Sequence, residues 1–195
     1  MSSPLLGAPG ADNSVRPARE QDLPAIGAVH ARSWTGPYAQ VLPPALVSAL
    51  SADVLAAAWG SGVSAPPSPR HRVHVAVGDG IVAGFVASAP LPEDPDGPVV
   101  ELVALEVDPL HQRRGHGSRL LAAVVDTSAG DGTGQLHAWV HVDDAARADF
   151  LRGAGFAEDG ARRRRALAGG EDDDPRSVWP EVRFVAWLGD EAADA

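Results

Sequence analysis

The segment Gln112-Arg113-Arg114-Gly115-His116-Gly117 constrains this chain more than any other. It follows a strongly apolar stretch, Val99 to Val107, and opens a helix-patterned run from Ser118 to Ala129. A glycine-flanked turn between a strand and a helix points unpaired backbone N–H groups, at the positive end of the helix dipole, toward an anion. Arg113 and Arg114 add charge and donors suited to phosphate oxygens. The turn therefore predicts a phosphate-bearing cofactor. It does not match the nucleotide P-loop, which needs a lysine, because the chain has no lysine. Nor does it match the dinucleotide fingerprint, since Gly115-His116-Gly117 runs into Ser118, Arg119 and Leu120 without the third glycine.

The coarse order of elements is that of one mixed α/β domain. Asp22 with Pro24 signals a helix start, and Leu23, Ile26 and Val29 recur at helical spacing toward Trp34. A second helical region runs from Pro44 to Trp59, with a break expected near Ser51. Arg72 to Val77 and Ile81 to Ser88 read as strands of a hairpin turning at Gly78-Asp79-Gly80. Leu136 to Val142 reads as a strand and Asp144 to Arg152 as a helix. Phe156 to Leu167 and Glu181 to Leu188 read as final strands around an acidic run, Glu171 to Asp174. Residues 1–13 are expected to form a disordered tail, 14–188 the domain, and 189–195 an acidic C-terminal tail.

The turn resembles the acyl-CoA pyrophosphate loop of the GNAT acyltransferase superfamily, Gln/Arg-x-x-Gly-x-Gly/Ala. The likeness extends to Glu101-Leu102-Val103-Ala104-Leu105-Glu106-Val107-Asp108-Pro109 before it, and to Trp139-Val140, Asp144, Phe150 and Gly155-Phe156 after it. Val15-Arg16-Pro17-Ala18 with Asp22-Leu23 resembles the family's first strand and helix, and Pro180 to Phe184 its last strand. The resemblance implies a central, mostly antiparallel, splayed sheet of about six to seven strands flanked by about four helices. It implies an N-acetyltransferase that uses acetyl-CoA as co-substrate and a primary amine as acceptor. The cofactor would be held by Leu105, Val107, Gln112, Arg113, Arg114, Gly115, His116, Gly117 and Ser118, with Asp144 and Leu151 beside the pantetheine arm.

Composition removes several other chemistries. Cysteine is absent and there is no Gly-x-Ser-x-Gly elbow, so a covalent acyl-enzyme is not expected. The acceptor would then attack directly in a ternary complex. A lysine-like amine, of pKa about 10.4, costs roughly 4–5 kcal/mol to deprotonate at neutral pH, and a terminal α-amine of pKa about 8 only about 1 kcal/mol. A general base matters most for the first kind. Glu101 leads, eleven residues before Gln112, where the family places a catalytic glutamate. Glu106 is second, and strand alternation would point it to the opposite face from Glu101.

Two positions depart from the family. Leu151 stands where a tyrosine commonly protonates the departing thiolate, and Asp144 replaces an asparagine. Tyr38, the single tyrosine, is the substitute acid or an acceptor wall. A non-enzymatic acyl-CoA-binding module on the same fold is the alternative that Leu151 motivates.

His71 with His74, and His137 with His141, lack a third ligand, so no metal is expected. A net charge of −10 argues against a nucleic-acid partner, and Arg162 to Arg165 alternate faces as a solvated strand edge would. The acidic balance and the Glu171 to Asp174 run point to a cationic acceptor, whether small molecule, peptide or protein. The apolar window Val41 to Trp59 contains Pro43, Pro44 and Asp53 and is no membrane span, so no membrane partner is expected. With no signal-peptide pattern, a cytoplasmic location is the default. A second copy of the chain, as a homodimer, is the assembly to check for.

Overall fold

A computed structural model of the protein describes residues 13–92, 97–167 and 177–188. The expected N-terminal tail up to residue 12, the Glu171 to Asp174 run and the tail from 189 onward lie outside the described residues. Seven strands are present among the described residues: β1 (Ser14–Pro17), β2 (Arg72–Gly78), β3 (Ile81–Pro90), β4 (Val99–Val107), β5 (Gln135–His141), β6 (Ala157–Ala166) and β7 (Val178–Trp187). The helices are α1 (Leu23–Thr35), α2 (Pro44–Ala49), α3 (Ala52–Ser64), α4 (His116–Gly130) and α5 (Ala145–Gly153). The sheet order is β1-β2-β3-β4-β5-β7-β6. Only β4 and β5 run parallel among its neighbouring pairs.

Five helices among the described residues meet the expectation of about four, with Pro44 to Trp59 dividing at Ser51 as read from the sequence. The Ser51 side chain accepts from the Val54 N–H at 3.3 Å and so starts α3 as a new helix. Arg16 ties β1 to the entrance of α1 through two hydrogen bonds to Asp22, of 2.6 and 2.8 Å. Those bonds hold the buried Asp22 carboxyl below its ordinary range. Gly27 lets α1 and α3 touch, since a Cβ there would lie 2.1 Å from the Ala52 carbonyl oxygen. The hairpin is as read, with Gly78 opposite Ile81 and Asp79-Gly80 between them.

Helices cover both faces of the sheet. On one face Ile26 and Val29 of α1, with Trp59 of α3, pack on Val75 and Phe85. On the other, Leu120, Leu121 and Val124 of α4 pack on Val86, Val100, Leu102 and Leu136.

Two irregularities in β4 create the site. Against β3, Ala87 faces Ala104 and Ser88 faces Leu102, so Val103 is an extra, bulged residue. Against β5, pairing covers only Val99 to Leu102. From Val103 onward β4 and β5 part, and β5 stays paired with β7 up to His141. The splayed sheet expected from the family is present, and the gap begins at the bulge.

Candidate active site

Two cavities open at this gap. The first, of about 360 Å³, lies against the α1 and α3 face. Of the five tryptophans in the chain, Trp34, Trp59, Trp139 and Trp179 line it. The second, of about 580 Å³, lies over the turn from β4 to α4 and the start of α5. Tyr38, Leu105, Glu106 and Arg147 line both and form the wall where they meet.

The second cavity gathers most of the residues expected to hold a phosphate-bearing cofactor. Arg113 (φ 61°) and Gly115 (φ 79°) both adopt the left-handed conformation, which turns the chain so that α4 starts at His116. The first-turn N–H groups of a helix have no carbonyl partners within it, and here they border the cavity with Gln112, Arg113 and Gly117. Arg114 is outside the lining, and its carbonyl accepts from Arg119 at 3.4 Å. The His116 ring is buried, takes Arg119 Nη2 at 3.0 Å on Nδ1, and packs toward Gly78. Its burial, helped by Arg119, His111 and Arg114, pushes its pKa down, so the ring adds no positive charge at neutral pH.

The shared wall is a chain of polar contacts. The Tyr38 hydroxyl donates to Asp144. Asp144 caps α5 by accepting from the Arg147 N–H at 3.0 Å, and its other oxygen accepts from Arg147 Nε at 3.2 Å. Arg147 Nη2 then reaches both oxygens of Glu106, at 3.0 and 3.1 Å. The Trp34 indole N–H completes the set at 3.3 Å from Glu106 Oε1. Burial, reinforced by the bond to Asp144, pushes the Tyr38 phenol far above its ordinary range. For Arg147, burial is outweighed by the surrounding carboxylates, and its pKa is raised.

In the first cavity the expected opposition of Glu101 and Glu106 does not hold. Glu101 faces Ala89 and Glu106 faces Phe85, residues four apart on β3, so both carboxylates are on one face and line one cavity. The bulge at Val103 shifts the alternation by one and brings them together. Glu101 is half-buried and has Arg163 Nη1 3.9 Å away. Leu151, expected beside a pantetheine arm, is buried in the core cluster that includes α4, reaches the lining of the first cavity and is not among the residues lining the second. The Arg162 to Arg165 stretch does form the sheet edge, but Arg163 and Arg165 face the first cavity.

Sequence reading missed His30, Trp59, Arg147 and Trp179. Trp59 Nε1 donates to His30 Nδ1 at 3.0 Å, and burial lowers the His30 pKa, so that imidazole is neutral with its lone pair occupied. Trp34 and Trp179 stack at 5.4 Å, and His141 lies 4.1 Å from Trp179. The available signal for Arg147 was its i,i+3 spacing from Asp144 at a helix start, a sequence feature that reports an ion pair but not its second partner. Among the described residues no three His, Asp or Glu side chains gather to hold a metal ion. Among them, too, no helix is long and apolar enough to cross a membrane.

Comparison with known proteins agrees with this architecture. The family model described as "Acetyltransferase (GNAT) family" matches residues 43–156, more than half of the chain. An "Uncharacterized N-acetyltransferase YuaI" of Bacillus subtilis (strain 168) is 28% identical over 128 residues, covering 65% of this chain and 70% of the relative. The PaiA N-acetyltransferase of Thermoplasma acidophilum, solved with coenzyme A, superposes with a TM-score of 0.63 at 16% identity, over 89% of this chain and 98% of its own. The putative acetyltransferase yncA of Salmonella typhimurium, solved with acetyl-CoA, gives 0.64 at 21% identity, over 93% and 98%. With the loop, the splayed strand and the matched segment in agreement, the chain belongs to the GNAT acetyltransferase family.

Proposed function

We propose that the protein moves an acetyl group from acetyl-CoA to a primary amine by direct attack in a ternary complex. The observation that carries this reading is the meeting of the two cavities at Leu105 and Glu106, where a donor in one and an acceptor in the other come into contact. The second cavity suits acetyl-CoA, with the α4 N-terminus and Arg113 for the pyrophosphate and the open edge of β4 for the pantetheine arm. In a strand, alternate residues send their N–H to the same edge, so Leu105 to Val107 present an amide to the gap for the developing oxyanion.

Glu101 is the base in this proposal. Both oxygens of Glu106 are engaged by Arg147, whereas the ion pair of Glu101 with Arg163, among the described residues, spans 3.9 Å, beyond hydrogen-bond length. Glu101 accepts the amine proton through water, the amine nitrogen bonds to the thioester carbon, and the C–S bond breaks. Tyr38 is a weak acid here because its proton is engaged by Asp144 and its pKa is raised. A thiolate of pKa about 8.5 leaves without it and takes its proton from solvent. Thiol release across a panel of primary amines tests the function. Release that depends on the amine supports the transferase, and tight CoA binding without turnover supports a binding module.

The loop assignment has its own test. A Cβ on Gly117 would sit 3.5 Å from the Phe150 ring and 3.7 Å from Val107, which is ordinary contact. The two γ-methyls of valine would go further and crowd Phe150 and the cavity floor. Gly117→Val is expected to weaken CoA binding at least tenfold, about 1.4 kcal/mol. Calorimetry on the folded variant checks it, and unchanged affinity would remove the loop from the CoA site.

A further inference from the structure

We infer that the first cavity takes a small apolar primary monoamine: one amine on a hydrocarbon body, with no carboxylate and no second ammonium. The inference rests on the acyl-transfer reading and names the acceptor class for it.

It starts from how the charges around the cavity are matched. Among the described residues, the lining carries three carboxylates, Glu101, Glu106 and Glu181, and three guanidinium groups, Arg147, Arg163 and Arg165. Arg147 holds both oxygens of Glu106. One Glu181 oxygen takes Arg163 Nε at 2.5 Å and Arg165 Nε at 3.5 Å. Arg163 also faces Glu101, with Nη1 at 3.9 Å, and stacks 4.2 Å over Trp139. The six charges therefore balance within the lining, and the pair that includes Glu101 is the loosest of them. The Tyr38 hydroxyl, the Trp34 indole and the Trp59 indole are engaged as well, by Asp144, Glu106 and His30.

All of these charges lie on one side. They come from β4, α5, β6 and β7, whereas the wall from α1 to α3 contributes His30, Trp34, Tyr38, Leu50, Leu55 and Trp59. Burial keeps His30 neutral, and burial raises the Tyr38 pKa, so that wall carries no charge near neutral pH. An acceptor with its amine on the β4 side has its body against hydrocarbon and aromatic surface. A second charge on that body would lose its water and meet no counter-ion, whereas an apolar body is favoured by burial. A volume of about 360 Å³ is near the lower limit of small-ligand sites, roughly 300–1,000 Å³, which suits a small molecule.

The test uses three amines that share a five-carbon chain and differ at its far end: pentylamine, 1,5-diaminopentane and 5-aminopentanoate. In thiol release from acetyl-CoA, the full-length protein is expected to favour pentylamine at least tenfold in kcat/KM over either of the others. Leu50→Glu places a carboxylate on the uncharged wall and should bring the ratio of pentylamine to 1,5-diaminopentane toward one. Leu50→Gln adds polarity without charge and should leave the diamine unimproved. Equal or better use of a doubly charged amine by the native protein overturns the inference. A ratio unmoved in folded Leu50→Glu overturns the placing of the acceptor body on that wall. Emission of the cavity tryptophans, titrated with each amine in the presence of CoA, gives a readout independent of turnover. If no amine releases thiol, tenfold tighter binding of pentylamine than of the diamine sustains the apolar site while the transferase reading fails. No change in emission with any of the three overturns the site itself.

Discussion

Replacing Arg147 with methionine is expected to lower the unfolding free energy by about 3 kcal/mol, and adding Glu106→Gln to recover most of that loss. The Glu106 side chain is 4% exposed, and Arg147 holds both of its oxygens. Without the guanidinium the carboxylate keeps the Trp34 N–H, one neutral donor for a buried charge. Arg147 itself is 27% exposed, so water reaches the vacated space and holds the cost to the lower end of the usual 3–5 kcal/mol for breaking such a pair. Urea unfolding of the native protein, the two single variants and the double variant closes a thermodynamic cycle. A double variant that loses the full sum of the singles would show that the pair is not coupled. The same substitution loosens the wall between the cavities, because Arg147 also anchors Asp144 and, through it, Tyr38.

The second large effect is kinetic. Glu101→Gln is expected to reduce kcat/KM for an alkylamine about a hundredfold near neutral pH, the low end for a positioned general base. The loss should shrink as pH approaches the amine's own pKa, about 10.4, because solution then supplies the free lone pair. An α-amine acceptor, of pKa about 8, should show a smaller loss and converge at lower pH. Thiol release measured from neutral to alkaline pH reads all of this. A loss of equal size at every pH would assign Glu101 to the ion pair with Arg163 and not to proton transfer.

How far the sequence reveals this site varies with the kind of interaction. Local signals are read well. The Gly78 to Ile81 hairpin, the Ser51 break, the helix that follows Asp144 and the turn into α4 all depend on residues close together in sequence. The loop proposed to hold the cofactor is legible for the same reason, since strand, turn and helix are contiguous. Relations across the fold are not. The pairing of Arg147 with Glu106 joins positions 41 apart, and nothing in either neighbourhood selects the other. Arg163 and Arg165 read correctly as alternating on an edge strand, but which face of that strand borders a cavity is decided by the partner strand β7. The splay of β4 from β5 was available only through family resemblance, because a strand that loses its neighbour looks locally like one that keeps it.

Val103 shows how much can depend on a residue with no chemistry of its own. In strict alternation, Glu101 and Glu106 would fall on opposite sides, and one of them would enter the hydrocarbon layer beneath α4. With Val103 out of step, that layer receives Val100, Leu102, Leu105 and Val107, and both carboxylates stand on the other side. The odd interval of five between two acids is thus turned into an even one in space. A strand can then be oily on one side and reactive on the other without an alternating alphabet, because the sorting is done by a slip of phase.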